Sequence, residues 1–461
     1  MSRVRIGLVP LAILLAACTS AGSTPGGSLS SPSSAPTSPA ATSAGPRDTT
    51  LSSSWPTYHG DSARSGFLHG AAVRPPLQPA WERSLDGAVY AQPIVVGPFV
   101  IAATENNSVY ALRADTGDVV WRRHLAPPVP RSELPCGNID PLGITGTPSY
   151  DVRTGDIFVV TETSGGRHDL RAIDARSGRL RWTRNLDVVD RDRSAQQQRS
   201  ALLVSHGNVY VAFGGLFGDC GNYIGYVTRI ATNGKGAVEH YAVPSGGRAG
   251  IWAPPGPIDD GTGDLLVAVG NGSGTGGEFD GSDSVLRLSA DLKRESFFAP
   301  STWAADNASD LDLGSSSPVL VGDHIVIAGK RRSVYLLPHG LGGIGGQIAT
   351  LDGCSAYGGA ATTGTAVILP CSDGIRRLDV SGDHMSWGWQ VAGVTGSPLV
   401  IDGTVYAMSA DNGDLVVIDL RSGRVRSRMH VGSVTRFATP VPTEGGLVIG
   451  TTRGVTALRE R

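Results

Sequence analysis

The sequence predicts an all-β fold, an eight-bladed β-propeller of four-stranded antiparallel blades, and three observations carry that prediction. A strand–turn–strand motif recurs along the chain. The composition, with 63 Gly against 9 Phe and 4 Met, calls for many turns and short strands. A half-copy of the motif stands unpaired near the C-terminus, and its missing strand is available near the start of the folded body. Repeats of this period signal a solenoid or a propeller rather than several separate domains.

The motif is clearest at residues 109–117, running on to Trp121, and at residues 170–178, running on to Trp182. Residues 415–423 repeat the spacing, with Ser427 where the Trp would stand. Alternating apolar residues make half-buried strands, and an Asp/Ser/Gly turn joins them as a hairpin. The Trp can pack between neighbouring blades and bury a large apolar area. Weaker copies fill residues 226–241, 284–298, 333–350 and 374–390. The half-copy at 454–458 pairs with residues 79–85, so seven hairpins plus one shared between the ends give eight blades. Such closure leaves no open sheet edge.

Two inner strands precede each hairpin, as in 92–96 with 99–103 and 397–401 with 405–408. Labelling strands A to D from the centre outward, the A–B and C–D turns share one face and the B–C and D–A connections share the other. The A–B and C–D turns are nearly all short. The long segments (125–144, 185–199, 214–223, 270–282, 299–314 and 351–358) are all B–C or D–A connections. Function is therefore expected on that looped face, around the channel mouth. Cys136 and Cys220 fall in its loops around blades 2 and 3, and Cys354 and Cys371 flank blade 6. The expected disulfides are Cys136–Cys220 and Cys354–Cys371, because bridged Cα atoms must lie within about 7 Å.

The N-terminal region reads as an export signal. Arg3 and Arg5 precede an apolar run, residues 6–17, that is short for a bilayer span. It ends in Leu15-Ala16-Ala17-Cys18, which resembles a bacterial lipobox. The expected organisation is a lipoprotein signal peptide at 1–17, a Ser/Pro/Thr-rich tether at 18–54 beginning at an acylated Cys18, and the propeller at 55–461. The tether is too poor in apolar residues to fold. The protein is then lipid-anchored on the extracytoplasmic face of the cell membrane. A net charge of −2, with no basic run, gives no signal for nucleic acid.

The element Ala-x-Asp-x-x-(Ser/Thr)-Gly-x-x-x-Trp at residues 172–182, met at 111–121 with Arg113 in place of Asp, resembles the pyrroloquinoline-quinone (PQQ) propeller repeat of quinoprotein alcohol dehydrogenases. The resemblance spans nearly all of residues 55–461. It implies roles for particular residues. Trp252 matches the tryptophan on which the quinone lies. Asn271, in a Gly-Asn-Gly turn, matches a ligand of the family's calcium or lanthanide. Asp310 matches the base that takes the alcohol proton, and Asp312 a further lanthanide ligand, although Ser309 replaces the Trp of that family motif. Oxygen ligands of this kind suit hard cations. Lys330 matches the cation that contacts the quinone carbonyls. Asp219 is the carboxylate nearest the place where the family supplies a glutamate ligand. The family's adjacent cysteine pair is absent, and no Cys-x-x-Cys-His haem motif is found. The resemblance implies PQQ with calcium or a lanthanide, acting on an alcohol or sugar. The same repeat also builds non-catalytic scaffolds, such as the propeller subunit of the outer-membrane barrel-assembly machinery, which implies as the alternative an envelope protein or glycan partner.

Overall fold

The computed structural model describes residues 55–70 and 73–461; the expected signal peptide, the tether and Cys18 lie outside these residues. Eight antiparallel sheets follow one another around a ring. Blade 1 is Ile94–Val96, Phe99–Ala103, Ser108–Arg113 and Val119–His124. Blades 3 to 5 carry the site. Their B strands are Asn208–Gly215, Leu265–Val269 and His324–Ala328. Blade 8 takes Val441–Thr443, Gly446–Thr451 and Gly454–Glu460 from the C-terminal end and its outer strand, Leu77–Ser84, from the N-terminal side. The eight-bladed ring closed by both ends of the folded body is thus observed.

Inner strands are buried on both faces because each blade lies between two others. Leu265–Val269 is apolar and wholly buried, whereas the outer strand Val425–His430 alternates between half-buried and exposed. The core therefore sits between the blades.

Indoles dock four of the eight blades on the next. Trp121 of blade 1 lies on Gly178 of blade 2 and donates from Nε1 to the Ala175 carbonyl at 3.1 Å. Trp81 repeats this on Gly117 and Ala114, and Trp389 on Gly423 and Leu420. Trp182 covers Gly234 without such a hydrogen bond. Each of these glycines has φ between 66° and 72°, which closes the hairpin turn and leaves no Cβ in the path of the ring.

Two features were not read from the sequence. The C–D connection of blade 5 is long, and its Gly343–Ile344 pairs in parallel with the outer strand of blade 4. More important, residues 55–68 run as a strap across the inner strands. Trp55 bridges Val95 of blade 1, the Pro56 carbonyl accepts from Tyr150 N of blade 2, and the Ser62 carbonyl from Asp259 N of blade 4. Ser65 serves Thr362 of blade 6, and Phe67–Leu68 pairs with the A strand of blade 7. Buried Arg64 donates to the Leu202 carbonyl at 2.9 Å.

Gly178→Ala tests the blade dock, because a Cβ there would lie 2.6 Å from Trp121 Cε3. It is expected to destabilise the fold by about 1–3 kcal/mol. Gly403→Ala, in a turn where a Cβ meets nothing within 4 Å, should stay within about 0.5 kcal/mol of the parent. Thermal melts of the two variants compare them directly.

Candidate functional site

The looped face is built rather than loose. Cys136–Cys220 ties the connection between blades 1 and 2 to the B–C loop of blade 3, and Cys354–Cys371 closes a second link, as expected from loop placement. Under the first bridge Val129, Leu134, Ile139, Leu142 and Leu216 form a small buried cluster.

Within this face lies a cavity of about 800 Å³. Trp252, Asn271, Asp310, Asp312, Lys330 and Asp219 all line it. Trp252 comes from the connection between blades 3 and 4, and Asn271 directly follows the B strand Leu265–Val269 of blade 4. Asp310 and Asp312 follow the short helix Trp303–Ala308 between blades 4 and 5, and Lys330 follows the B strand His324–Ala328 of blade 5. Gly270 permits the convergence: a Cβ there would come within 2.2 Å of Asp312 Oδ1 and 3.1 Å of Trp252 Nε1.

Four of the six form one bonded group. Lys330 Nζ lies 2.7 Å from Asp310 Oδ1 and 2.5 Å from Asp312 Oδ2. Asn271 donates from its backbone N to Asp312 Oδ1 at 2.6 Å and from Nδ2 to Asp310 Oδ1 at 2.7 Å. Lys330 Nζ also stands 5.9 Å from the centre of the Trp252 ring. Burial raises the pKa of Asp312 and would lower that of Lys330, but the two carboxylates outweigh burial and raise Lys330. Beneath them Asp283, which accepts from Leu313 N, is pushed up to about 9 by burial and by Asp312 and Asp306, so it carries a proton at neutral pH. Asn271 Oδ1 is buried without a partner among the described residues. Asp219 is turned to the other side of the cavity, where it accepts from Tyr223 Oη at 2.6 Å.

This arrangement bears on the two groups implied by the resemblance. A planar anionic quinone fits the lining, which offers the half-exposed Trp252 ring and the unpaired Asn271 Oδ1. A calcium or lanthanide ion does not. It takes 6–8 oxygen ligands, but Lys330 already holds an oxygen of each of Asp310 and Asp312, and Asp219 is bonded to Tyr223.

Several lining residues escaped the sequence reading. Arg199 lies over Phe437 at 4.6 Å and Arg436 over Tyr357 at 4.2 Å, while Arg248, Tyr90 and Tyr223 complete the wall. None of the three arginines forms a salt bridge among the described residues. Arg436 and Phe437 belong to the connection between blades 7 and 8, whose length matches loops singled out above and was the available signal. Behind Arg199, burial and the neighbouring Glu162 push Glu105 up to about 7. In blade 2 the buried His168 contacts Glu162 at 3.3 Å and Asp187 at 2.8 Å.

Fold and repeat together define the class, an eight-bladed propeller built on the PQQ-type repeat. Residues 78–220 match the family model described as outer membrane protein assembly factor BamB. The assembly factor BamB of Yersinia pestis is 30% identical over 90 residues, which cover 17% of this chain and 23% of that protein, so the matched stretch spans about a quarter of that relative. Among solved structures, the quinohemoprotein alcohol dehydrogenase of Comamonas testosteroni superposes with a TM-score of 0.69 at 16% identity, covering 89% of this chain and 81% of that one. BamB of Moraxella catarrhalis superposes with a TM-score of 0.61 at 17% identity, covering 84% and 100%. At these identities the structural likeness is one of fold.

His168 supplies a test of charge beneath the looped face. Burial lowers its pKa, but Glu162 and Asp187 reverse this and raise it to about 10. Protonated His168 therefore stabilises the folded state fully below about pH 6.5, and the contribution is lost as pH rises through about 10. The urea midpoint should fall between pH 7 and pH 10, and His168→Gln should flatten that fall.

Proposed function

We propose that the looped face holds a planar, anionic quinone of the PQQ type and oxidises an alcohol or sugar. The observation that carries this reading is the cavity itself. An indole face, an orphaned amide oxygen and a proton-accepting carboxylate converge there, and three arginines without carboxylate partners surround them. Arginines match carboxylates in shape as well as charge. Such a ligand gains both stacking area and charge-assisted hydrogen bonds, and it leaves the interior better satisfied than water would.

Trp252 would carry the ring system, and Arg199, Arg248 and Arg436 would take its carboxylates. When bound, the quinone supplies a two-electron oxidant. Asp310 is the group of this chain placed to accept the substrate hydroxyl proton: Oδ1 is held by Lys330 and Asn271, and its side chain is 68% exposed, so Oδ2 is open to the cavity. Holding Oδ1 fixes the carboxylate plane, which is what a general base requires. Lys330 stands beside the Trp252 face, where its charge favours a reduced, oxyanionic ring. With no haem motif in the sequence, electrons would pass to a separate acceptor. The setting is the extracytoplasmic membrane face, with Cys18 as the lipid anchor. Among the described residues no helix is long and apolar enough to cross a membrane.

A second reading is favoured by the family model matched at residues 78–220. On it the same loops form a scaffold surface for an envelope protein or glycan, and the exposed Phe217 at the cavity rim would be a contact.

Titration of the purified protein with PQQ, with and without calcium, separates the two. Saturable quenching of Trp fluorescence and alcohol-dependent dye reduction are expected. Trp252→Ala should weaken binding about 5- to 150-fold, since one stacked ring contributes about 1–3 kcal/mol. Absence of quinone binding by the parent protein would leave the scaffold reading.

A further inference from the structure

Asp310 and Asp312 with Asn271 look at first like an oxygen-rich cation site, and a dissociable metal is what the sequence suggested. The bonded partners say otherwise. Both carboxylates converge on one ammonium group, Lys330 Nζ, at 2.7 and 2.5 Å. Lys330 itself is held from two directions along its backbone. Its own backbone N donates to the Asp312 carbonyl at 2.8 Å, and its carbonyl accepts from Ser355 Oγ at 2.8 Å. Asp312 is 6% exposed, so an uncompensated charge there would be strongly unfavourable, and Lys330 is the group that compensates it.

We propose that Lys330 is a tethered cation that takes the place of a dissociable metal ion, so that the Asn271–Asp310–Asp312 cluster is charge-balanced by the chain itself and takes its ligand without a metal. A divalent ion sharing these oxygens at about 2.4 Å would sit within about 5 Å of the ammonium, and the two cations repel strongly in a partly buried site. Binding would require Lys330 to leave both carboxylates. The buried, unpartnered Asn271 Oδ1, on a residue 6% exposed, marks the same spot as a place where a hydrogen-bond donor is still wanted. A ligand N–H or O–H satisfies it, and the remaining N–H of Lys330 is free to meet a ligand oxyanion. The inference concerns the cavity of the proposed function, but its test contains no quinone.

Terbium(III) alone is the probe, because a lanthanide in this cluster would lie close enough to Trp252 for indole-sensitised emission. The parent protein is expected to give no Trp252-dependent emission at terbium concentrations up to about tenfold over protein, and its melting temperature should be unchanged by calcium or by a chelator. Lys330→Gln is expected to gain sensitised emission with at least tenfold tighter binding. Asp312→Asn in that background should remove it, and Lys330→Arg, which keeps the charge, should not gain it. Terbium emission from the parent protein that is lost on Asp312→Asn would overturn the proposal. So would a folded Lys330→Gln protein, with the parent's circular dichroism and melt, that gains nothing. If Lys330→Gln does not fold, the parent titration and the calcium melt decide alone: a calcium-raised melting temperature overturns the proposal, and an unchanged one supports it. Failure of PQQ to bind affects none of these readings.

Discussion

Half of the ring's blade junctions are made by an indole laid on a glycine. A blade has two large faces, and neither can be left to water, so its stability resides in how it meets its neighbours. The outer strand offers little, because it is largely exposed. At four junctions a Trp from that strand reaches across to the next blade's C–D turn and covers the glycine, and at three of them it gives its N–H to a turn carbonyl. Apolar burial and hydrogen-bond satisfaction are met by one side chain.

Closure then has consequences at the centre. The last blade takes its outer strand from the N-terminal side, and the residues before that strand run across the inner strands first. Residues 55–68 use that passage to bond to inner strands of several blades. Buried Tyr58 and Arg64 are part of this strap, and Tyr58 lies beneath Tyr90, Arg199 and Phe437. The channel is therefore floored by the strap, and the looped face is left as the open side of the cavity.

Much of this was legible in the sequence for a physical reason. A hairpin with a positive-φ glycine and a docking Trp has a fixed spacing, so 109–121 and 170–182 announce themselves, and connectivity alone puts the long loops and the cysteines on one face. Asn271 and Lys330 could be found because each stands two residues past a recognisable strand, and Trp252, Asp310 and Asp312 because short stretches around them resemble those of the PQQ enzymes. Arg199, Arg248, Arg436 and Tyr357 could not, because they sit in irregular loops whose course depends on contacts with other loops. The strap was invisible for a related reason. Its bonds go to backbone groups of distant strands, and such bonds leave no periodicity in the segment that makes them. Asp219 lines the same cavity, and the neighbouring Tyr223, which donates to it, sets where the carboxylate points.

Charge at the mouth ties these features together. The carboxyls between blades 4 and 5 are each answered within the chain. Asp310 and Asp312 are paired with Lys330, Asp306 with Arg331, and Asp283 keeps its proton. The arginines on the opposite connections make no salt bridge among the described residues; Arg199 lies over Phe437 with Glu105 behind it, and Arg436 over Tyr357. A cation over a ring gains part of what an ion pair gives, and it keeps its N–H groups available. The acidic side of the cavity is thus complete without a further cation, while the basic side still has charge to satisfy. On the proposed function, a site balanced in this way would take an anion with an aromatic body, and the pairing that closes the acidic side is the same one that sets Asp310 and Lys330 beside the indole.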